Sequence, residues 1–178
     1  MNQMEAWDIY DCKRQFTGIL KYRGQALTPQ EYHISVGIWT MNSKREILLT
    51  KRHPNKRYAP NMWENTGGSV LAGETSRQGA VRELFEETGI KVKEKDLLFL
   101  GSERTVGHFM DAYLVVKDVP IEQIILQEGE TVDAMWVTVE AFEKLIKEGL
   151  FAKEVAKRFY TLRPYMETVY AKAVNRRN

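Results

Sequence analysis

Gly67-Gly68-Ser69-Val70-Leu71-Ala72-Gly73-Glu74, continued by Thr75 through Ile90, is the stretch on which the reading of this chain turns. Thr75 is placed to cap a helix, and Gln78, three positions on, is placed to return the bond, the reciprocal arrangement of a capping box. Gly89 suits the left-handed conformation that ends a helix. The spacing therefore predicts a helix of about four turns over Thr75 to Thr88. At roughly 100° per residue, Ala80, Val81, Leu84 and Phe85 are expected on one arc, to pack on a sheet, and Glu83, Glu86 and Glu87 on the opposite arc.

Three carboxylates within about two turns repel one another, so something cationic has to compensate them. Arg82 can reach Glu86 four residues on, and what remains is a net negative cluster of oxygen ligands, suited to Mg²⁺ or Mn²⁺ and ill suited to zinc. A helix whose glutamates merely solvate its outer face is the bland alternative. The glycines before the helix, the further acid Glu74, the arginine beside the first carboxylate and the terminating Gly89 together outweigh it.

Outward from this segment, short apolar and β-branched runs predict strands at Thr17 to Tyr22, His33 to Thr40, Glu46 to Lys51, Leu97 to Glu103, Phe109 to Val116 and Met135 to Thr138. Asn42-Ser43 predicts a hairpin turn, and Gly24 marks a second turn nearer the N-terminus. Two further helices are expected, over Glu140 to Glu148 and from about Phe151 to Leu162; in the first, Ala141, Phe142, Leu145 and Ile146 share a face and Gly149 is a stop. Interleaved strands and helices favour an α/β fold, a mixed sheet with helices on both sides. No repeat, low-complexity run or flexible linker divides residues 1–178, so one domain is expected.

Composition narrows the function classes. The 178 residues are 43% hydrophobic, enough for a substantial core, and 26 Lys and Arg against 24 Asp and Glu give a net charge of +2. That balance argues against a nucleic-acid partner held by a broad basic surface. The single cysteine, Cys12, cannot form an internal disulfide and has no companions for a zinc cluster. The segment Met1 to Tyr10 does not read as a secretory signal, and no apolar run approaches the roughly 20 residues needed to span a bilayer. A cytoplasmic protein with no membrane partner is expected.

Gly68, Glu74, Arg82-Glu83-Leu84, Glu86-Glu87 and Gly89-Ile90 match the Nudix box without a departure, and on these residues the chain resembles a Nudix hydrolase. The box spans Gly68 to Ile90; a looser resemblance runs from about Trp7 to about Phe142. It implies a Nudix-type α/β/α sandwich around a mixed β-sheet, and water attack on a small-molecule substrate, a nucleoside diphosphate linked to another moiety. Glu83 and Glu87 match the principal metal ligands, Glu86 a residue that serves as ligand or base, and the Gly67 carbonyl a backbone ligand. Arg82 and Glu74 match the pair that orients these carboxylates. Glu130, in Glu128-Gly129-Glu130, is a second candidate base.

Trp7-Asp8-Ile9-Tyr10-Asp11 and Tyr32-His33 resemble the isopentenyl-diphosphate isomerase-like branch. The isomerase cysteine is missing, however: Thr66-Gly67-Gly68 stands where it belongs, which argues for hydrolysis over isomerisation. A binding module without turnover is disfavoured by the complete set Glu83, Glu86 and Glu87. Candidate substrate contacts are Arg52, in the basic loop Lys51 to Arg57, as a bidentate phosphate ligand, and Trp63 as a stacking surface. Trp39, Tyr58 and Phe109 are weaker stacking candidates, since strand aromatics more often fill a core. His53 has no partner histidine for a metal. The basic C-terminal stretch, with Lys153, Lys157, Arg158, Arg163, Lys172, Arg176 and Arg177, admits an RNA contact or a homodimer surface, but a charged helix face explains it more simply.

Overall fold

A computed structural model describes residues 5–175. Met1 to Met4, part of the segment read for a signal, and Arg176 and Arg177 lie outside the described residues. The chain forms β1 (Ala6–Tyr10), β2 (Phe16–Tyr22), β3 (His33–Met41), β4 (Ile47–Arg52), β5 (Trp63–Glu64), β6 (Thr66–Ser69), α1 (Ser76–Thr88), β7 (Leu98–Arg104), β8 (His108–Val116), β9 (Thr131–Val137), α2 (Val139–Lys147) and α3 (Lys153–Asn175). β1 and β2 make a separate antiparallel hairpin. The other seven strands form one sheet of order β5-β4-β3-β8-β7, in which β6 also pairs with β3 and β9 with β4.

β3 and β8 run parallel over their whole lengths, from His33 opposite His108 to Met41 opposite Val116, and the remaining pairs are antiparallel, so the sheet is mixed. β3 and β4 meet only at the Asn42-Ser43 turn, through Met41 and Ile47, and then diverge. Into that divergence β6 inserts beside β3, which carries the two glycines to the middle of the sheet face, above α1.

Alternation along β3 builds both cores. Ile34, Val36 and Ile38 face α1 and pack with Val70, Ala80, Leu84 and Ile90. Trp39 and Met41 face the other way, into a cluster with Phe142 of α2 and Phe159, Met166 and Tyr170 of α3. Rings of Phe142 stand edge-on to Phe151 and Phe159 at centroid distances of 4.6 and 4.5 Å, a geometry favoured by the aromatic quadrupole. The result is the expected α/β/α sandwich.

Three short strands, β1, β5 and β6, escaped the sequence reading, because two to five residues hold too little alternation to register. The third helix was expected to stop at Leu162 and runs on to Asn175 through Pro164. Proline there removes one intrahelical donor, but buried Phe159 before it and buried Met166 and Tyr170 after it anchor both halves on one core. Among the described residues no helix is long and apolar enough to cross a membrane.

Candidate active site

Helix α1 is set by its caps. The Thr75 hydroxyl accepts from the Gln78 N–H at 3.2 Å, the Gln78 side chain accepts from the Thr75 N–H at 2.9 Å, and Gly89 closes the helix at φ 72°. With both ends fixed, the acids take defined places, and they differ from the expected arcs. Phe85 is 46% exposed, with the Lys91 ammonium over its ring, whereas Glu87 is only 7% exposed. Seven residues from Ala80 are nearly two full turns, which puts Glu87 within roughly 20° of that buried alanine. Of the three acids expected on one arc, Glu86 is exposed, Glu83 is half-buried and Glu87 is buried on the sheet side.

Arg82 is the hub of the cluster. Its Nε donates to Glu74 at 2.8 Å, Nη2 to Glu74 at 3.0 Å and to the Ser69 carbonyl at 2.8 Å, and Nη1 to Glu83 at 2.9 Å and Glu86 at 3.1 Å. All five guanidinium donors are thus engaged. Burial disfavours the charge of Arg82, but the acids around it, Glu74 first, hold its pKa above the ordinary arginine value. Glu74, which also accepts from the Leu71 N–H, is held below the usual carboxylate range by Arg82 against the opposing effect of burial.

Glu83 and Glu87 go the other way. Burial pushes the Glu83 carboxyl up despite Arg82. Glu87 is pushed well above the usual range by burial first and then by Glu64 and Glu83, with only the Gly67 N–H opposing. Its Oε2 is buried without a hydrogen-bond partner among the described residues, an arrangement that is costly unless a cation meets it.

The glycines make room for these acids. A β carbon on Gly68 would stand 2.3 Å from the Glu83 carboxylate, and one on Gly67 would strike the Val36 carbonyl at 2.4 Å. Six carboxylates, Glu64, Glu74, Glu83, Glu86, Glu87 and Glu130, stand here against three cations, Arg52, Lys56 and Arg82. Among the described residues no three His, Cys, Asp or Glu side chains already converge as a metal cage, since Arg82 spans Glu83 and Glu86. The orphaned Glu87 oxygen, the space left by Gly68 and the excess of hard oxygen donors nevertheless suit a divalent cation such as Mg²⁺.

The basic loop behaves differently from its sequence reading. Arg52 is bound to Glu64 and to the Tyr58 carbonyl, and Lys56 to Glu130, so both cations are already paired with acids. Trp63 lies against the core beneath α2 and α3, with its backbone N–H on the Leu150 carbonyl, and Trp39 and Phe109 are buried. Tyr58 is exposed above Arg52. His53 caps a turn, accepting from the Asn55 N–H. Glu64 was missed by the sequence reading. Its only signal was an acid between Trp63 and Asn65 on the approach to the glycines.

Beside the acids opens a cavity of about 460 Å³, bounded by Glu64, Gly67 and Gly68 at one end and by His33, His108 and Arg158 at the other. The NUDIX domain family profile matches residues 31–159, which spans the whole of this arrangement. The chain belongs to the Nudix hydrolase family. An uncharacterized Nudix hydrolase of Listeria monocytogenes is 37% identical over 149 residues, 83% of this chain and 88% of that one. The crystal structure of DR0079 from Deinococcus radiodurans superimposes with a TM-score of 0.69 at 23% identity, over 83% of this Nudix chain and 92% of the other. A bifunctional NMN adenylyltransferase/ADP ribose pyrophosphatase of Francisella tularensis, solved with AMP and a manganese ion, shares the fold at a TM-score of 0.61 and 19% identity, over 76% of this chain and 42% of that one. The isomerase-like affinity of the N-terminal half finds no counterpart among these relatives.

Proposed function

We infer that this Nudix protein hydrolyses a diphosphate bond in a nucleoside diphosphate linked to another moiety, by metal-assisted attack of water on phosphorus. The observation that carries the reading is Glu87: a carboxylate raised in pKa by burial and then by neighbouring acids, with one buried oxygen unpartnered among the described residues, is stable as an anion only against a cation. Glu83, Glu87, Glu86 and the Gly67 carbonyl would hold Mg²⁺ or Mn²⁺. When bound, such ions neutralise the diphosphate oxygens and lower the pKa of the attacking water.

The protein's own groups have separate tasks. Arg82, anchored by Glu74 and the Ser69 carbonyl, keeps Glu83 and Glu86 at fixed positions. Glu86 is the exposed acid of the helix and is free on one side to take a proton from water. Glu130 is the second candidate base, with Lys56 holding it toward the cluster. The manganese and AMP of the Francisella enzyme support this chemistry by analogy of fold alone. The half-buried positions of Arg52, paired with Glu64, and of Trp63, packed on the core, favour supporting roles for both, the first by orienting Glu64.

The test is release of phosphate or nucleoside monophosphate from a panel of nucleoside diphosphate derivatives in Mg²⁺, in Mn²⁺ and in chelator, with Glu87→Gln as control. Turnover that needs metal and disappears in the variant is expected. Turnover that survives chelation, or persists in Glu87→Gln, sinks the assignment.

A further inference from the structure

The acid cluster accounts for one end of the cavity and leaves the other unexplained. Arg158 reaches that far end from α3, and only 13% of its side chain meets water. A guanidinium keeps its charge and carries five donors, so burial calls for acceptors. Its Nε is buried with no hydrogen-bond partner among the described residues. Its ion pair with Glu103 spans 3.6 Å, longer than a hydrogen bond, and the Glu103 side chain is 56% exposed. Glu154, one helical turn back, also borders the cavity but is exposed and forms no ion pair with Arg158 among the described residues.

Glu154 aside, the titratable neighbours of Arg158 at that end of the cavity are two imidazoles. His108 is lowered by burial and then by Arg158 itself, and His33, stacked on Trp7 at 4.3 Å, is lowered by burial to about 4. Between them and the glycines the wall is Ser35, Val36, Gly37 and Met110. The cavity therefore has an end bordered by Glu64 and the glycines that the acid cluster packs against, a largely apolar middle, and a cation short of acceptors.

We propose that Arg158 is the specificity-determining residue of this cleft, selecting diphosphates that carry a second anionic group, a phosphate or a carboxylate, remote from the scissile bond. A planar guanidinium gives such a group two parallel charge-assisted hydrogen bonds. The apolar middle takes the ring that joins the two anions. This inference rests on the hydrolase reading for the placement of the diphosphate.

Two ligand pairs test it: UDP-glucuronate against UDP-glucose, which differ by a carboxylate, and NADP⁺ against NAD⁺, which differ by a phosphate. Binding is read by calorimetry in Ca²⁺ and hydrolysis in Mg²⁺. The wild type is expected to bind the more anionic member of at least one pair about ten-fold more tightly, and the pair that discriminates names the anion. Arg158→Met should erase that difference, its loss of affinity falling mainly on the more anionic member, and Arg158→Lys should restore part of it. Should Arg158→Met fail to fold by circular dichroism, Arg158→Gln and Arg158→Lys carry the same comparison. The proposal is overturned if the wild type discriminates within neither pair, or if discrimination survives loss of the guanidinium. Discrimination in binding with no hydrolysis in Mg²⁺ overturns the hydrolase reading alone.

Discussion

The Glu83 carboxylate lies so close to the α carbon of Gly68 that a β carbon there would come within 2.3 Å of it. Gly68→Ala must therefore displace the carboxylate, but the obstacle is the far end of a side chain that can swing away. The neighbouring Gly67→Ala meets a backbone carbonyl, that of Val36, inside the sheet. Gly68→Ala is expected to lose about 100-fold in turnover with little change in thermal stability, and Gly67→Ala to lose about 1–3 kcal/mol of stability as well. Steady-state kinetics beside chemical denaturation of both variants separates the two effects; equal stability losses would contradict it.

Glu87→Gln should abolish turnover and yet stabilise the protein in chelator. The folded-state pKa of Glu87 is raised by burial and by nearby acids, so the unfolded chain gives up the proton first as pH rises. Wild-type stability is then intact below the ordinary value of 4.5 and falls as pH climbs toward the folded pKa. The variant lacks that loss. Melting temperatures in chelator should favour Glu87→Gln at pH 7 and converge below about pH 4, while saturating Mg²⁺ should reverse the order by stabilising only the wild type. A variant less stable than wild type in chelator at pH 7 would show that the carboxylate has a partner.

His33 gives the opposite sign. Burial lowers its pKa from 6.5 to about 4, so the unfolded chain takes up the proton first on acidification. The stability it contributes is complete above pH 6.5 and lost between 6.5 and about 4. Urea unfolding across that window should show the wild type losing up to about 3 kcal/mol more than His33→Gln. Parallel curves for the two proteins would rule out His33 as the group responsible.

Arg14 joins the N-terminal hairpin to the sheet. Its guanidinium grips Asp111 of β8 with hydrogen bonds of 2.7 and 2.5 Å, and Asp111, 2% exposed, also accepts from Ser76 at the start of α1. Burial would raise the Asp111 pKa, but hydrogen bonds from Arg14, Ser76 and Ser102 bring it below the ordinary value. Arg14→Ala leaves this carboxylate buried and under-partnered. The expected cost is about 2–3 kcal/mol, less than for a fully buried pair because part of Arg14 meets water. Denaturant midpoints measure it, and Asp111→Asn in the Arg14→Ala background should recover part of the loss.

Local sequence determined the helix of the Nudix box, its capping residues, the Arg82 to Glu86 pairing and the alternating strands β3, β4 and β8, because each rests on contacts between residues a turn or a pleat apart. Tertiary structure decided the rest. Whether Arg52 and Lys56 wait for a phosphate or hold Glu64 and Glu130 depends on partners 12 and 74 positions away, brought together by the pairing of β4 with β5 and β9. The placing of Glu87 at the core edge and Phe85 in solvent followed from which side of α1 the sheet covers, the side that carries Ala80 and Leu84. The passage of α3 through Pro164 followed from what Phe159, Met166 and Tyr170 bury on either side of it, and the seating of Phe159 in that core sets its neighbour Arg158, one basic residue among many in the sequence, beside the cleft. Spacing along a chain encodes neighbours within a turn or two; a site assembled from several strands and helices exists only once the sheet has fixed their register.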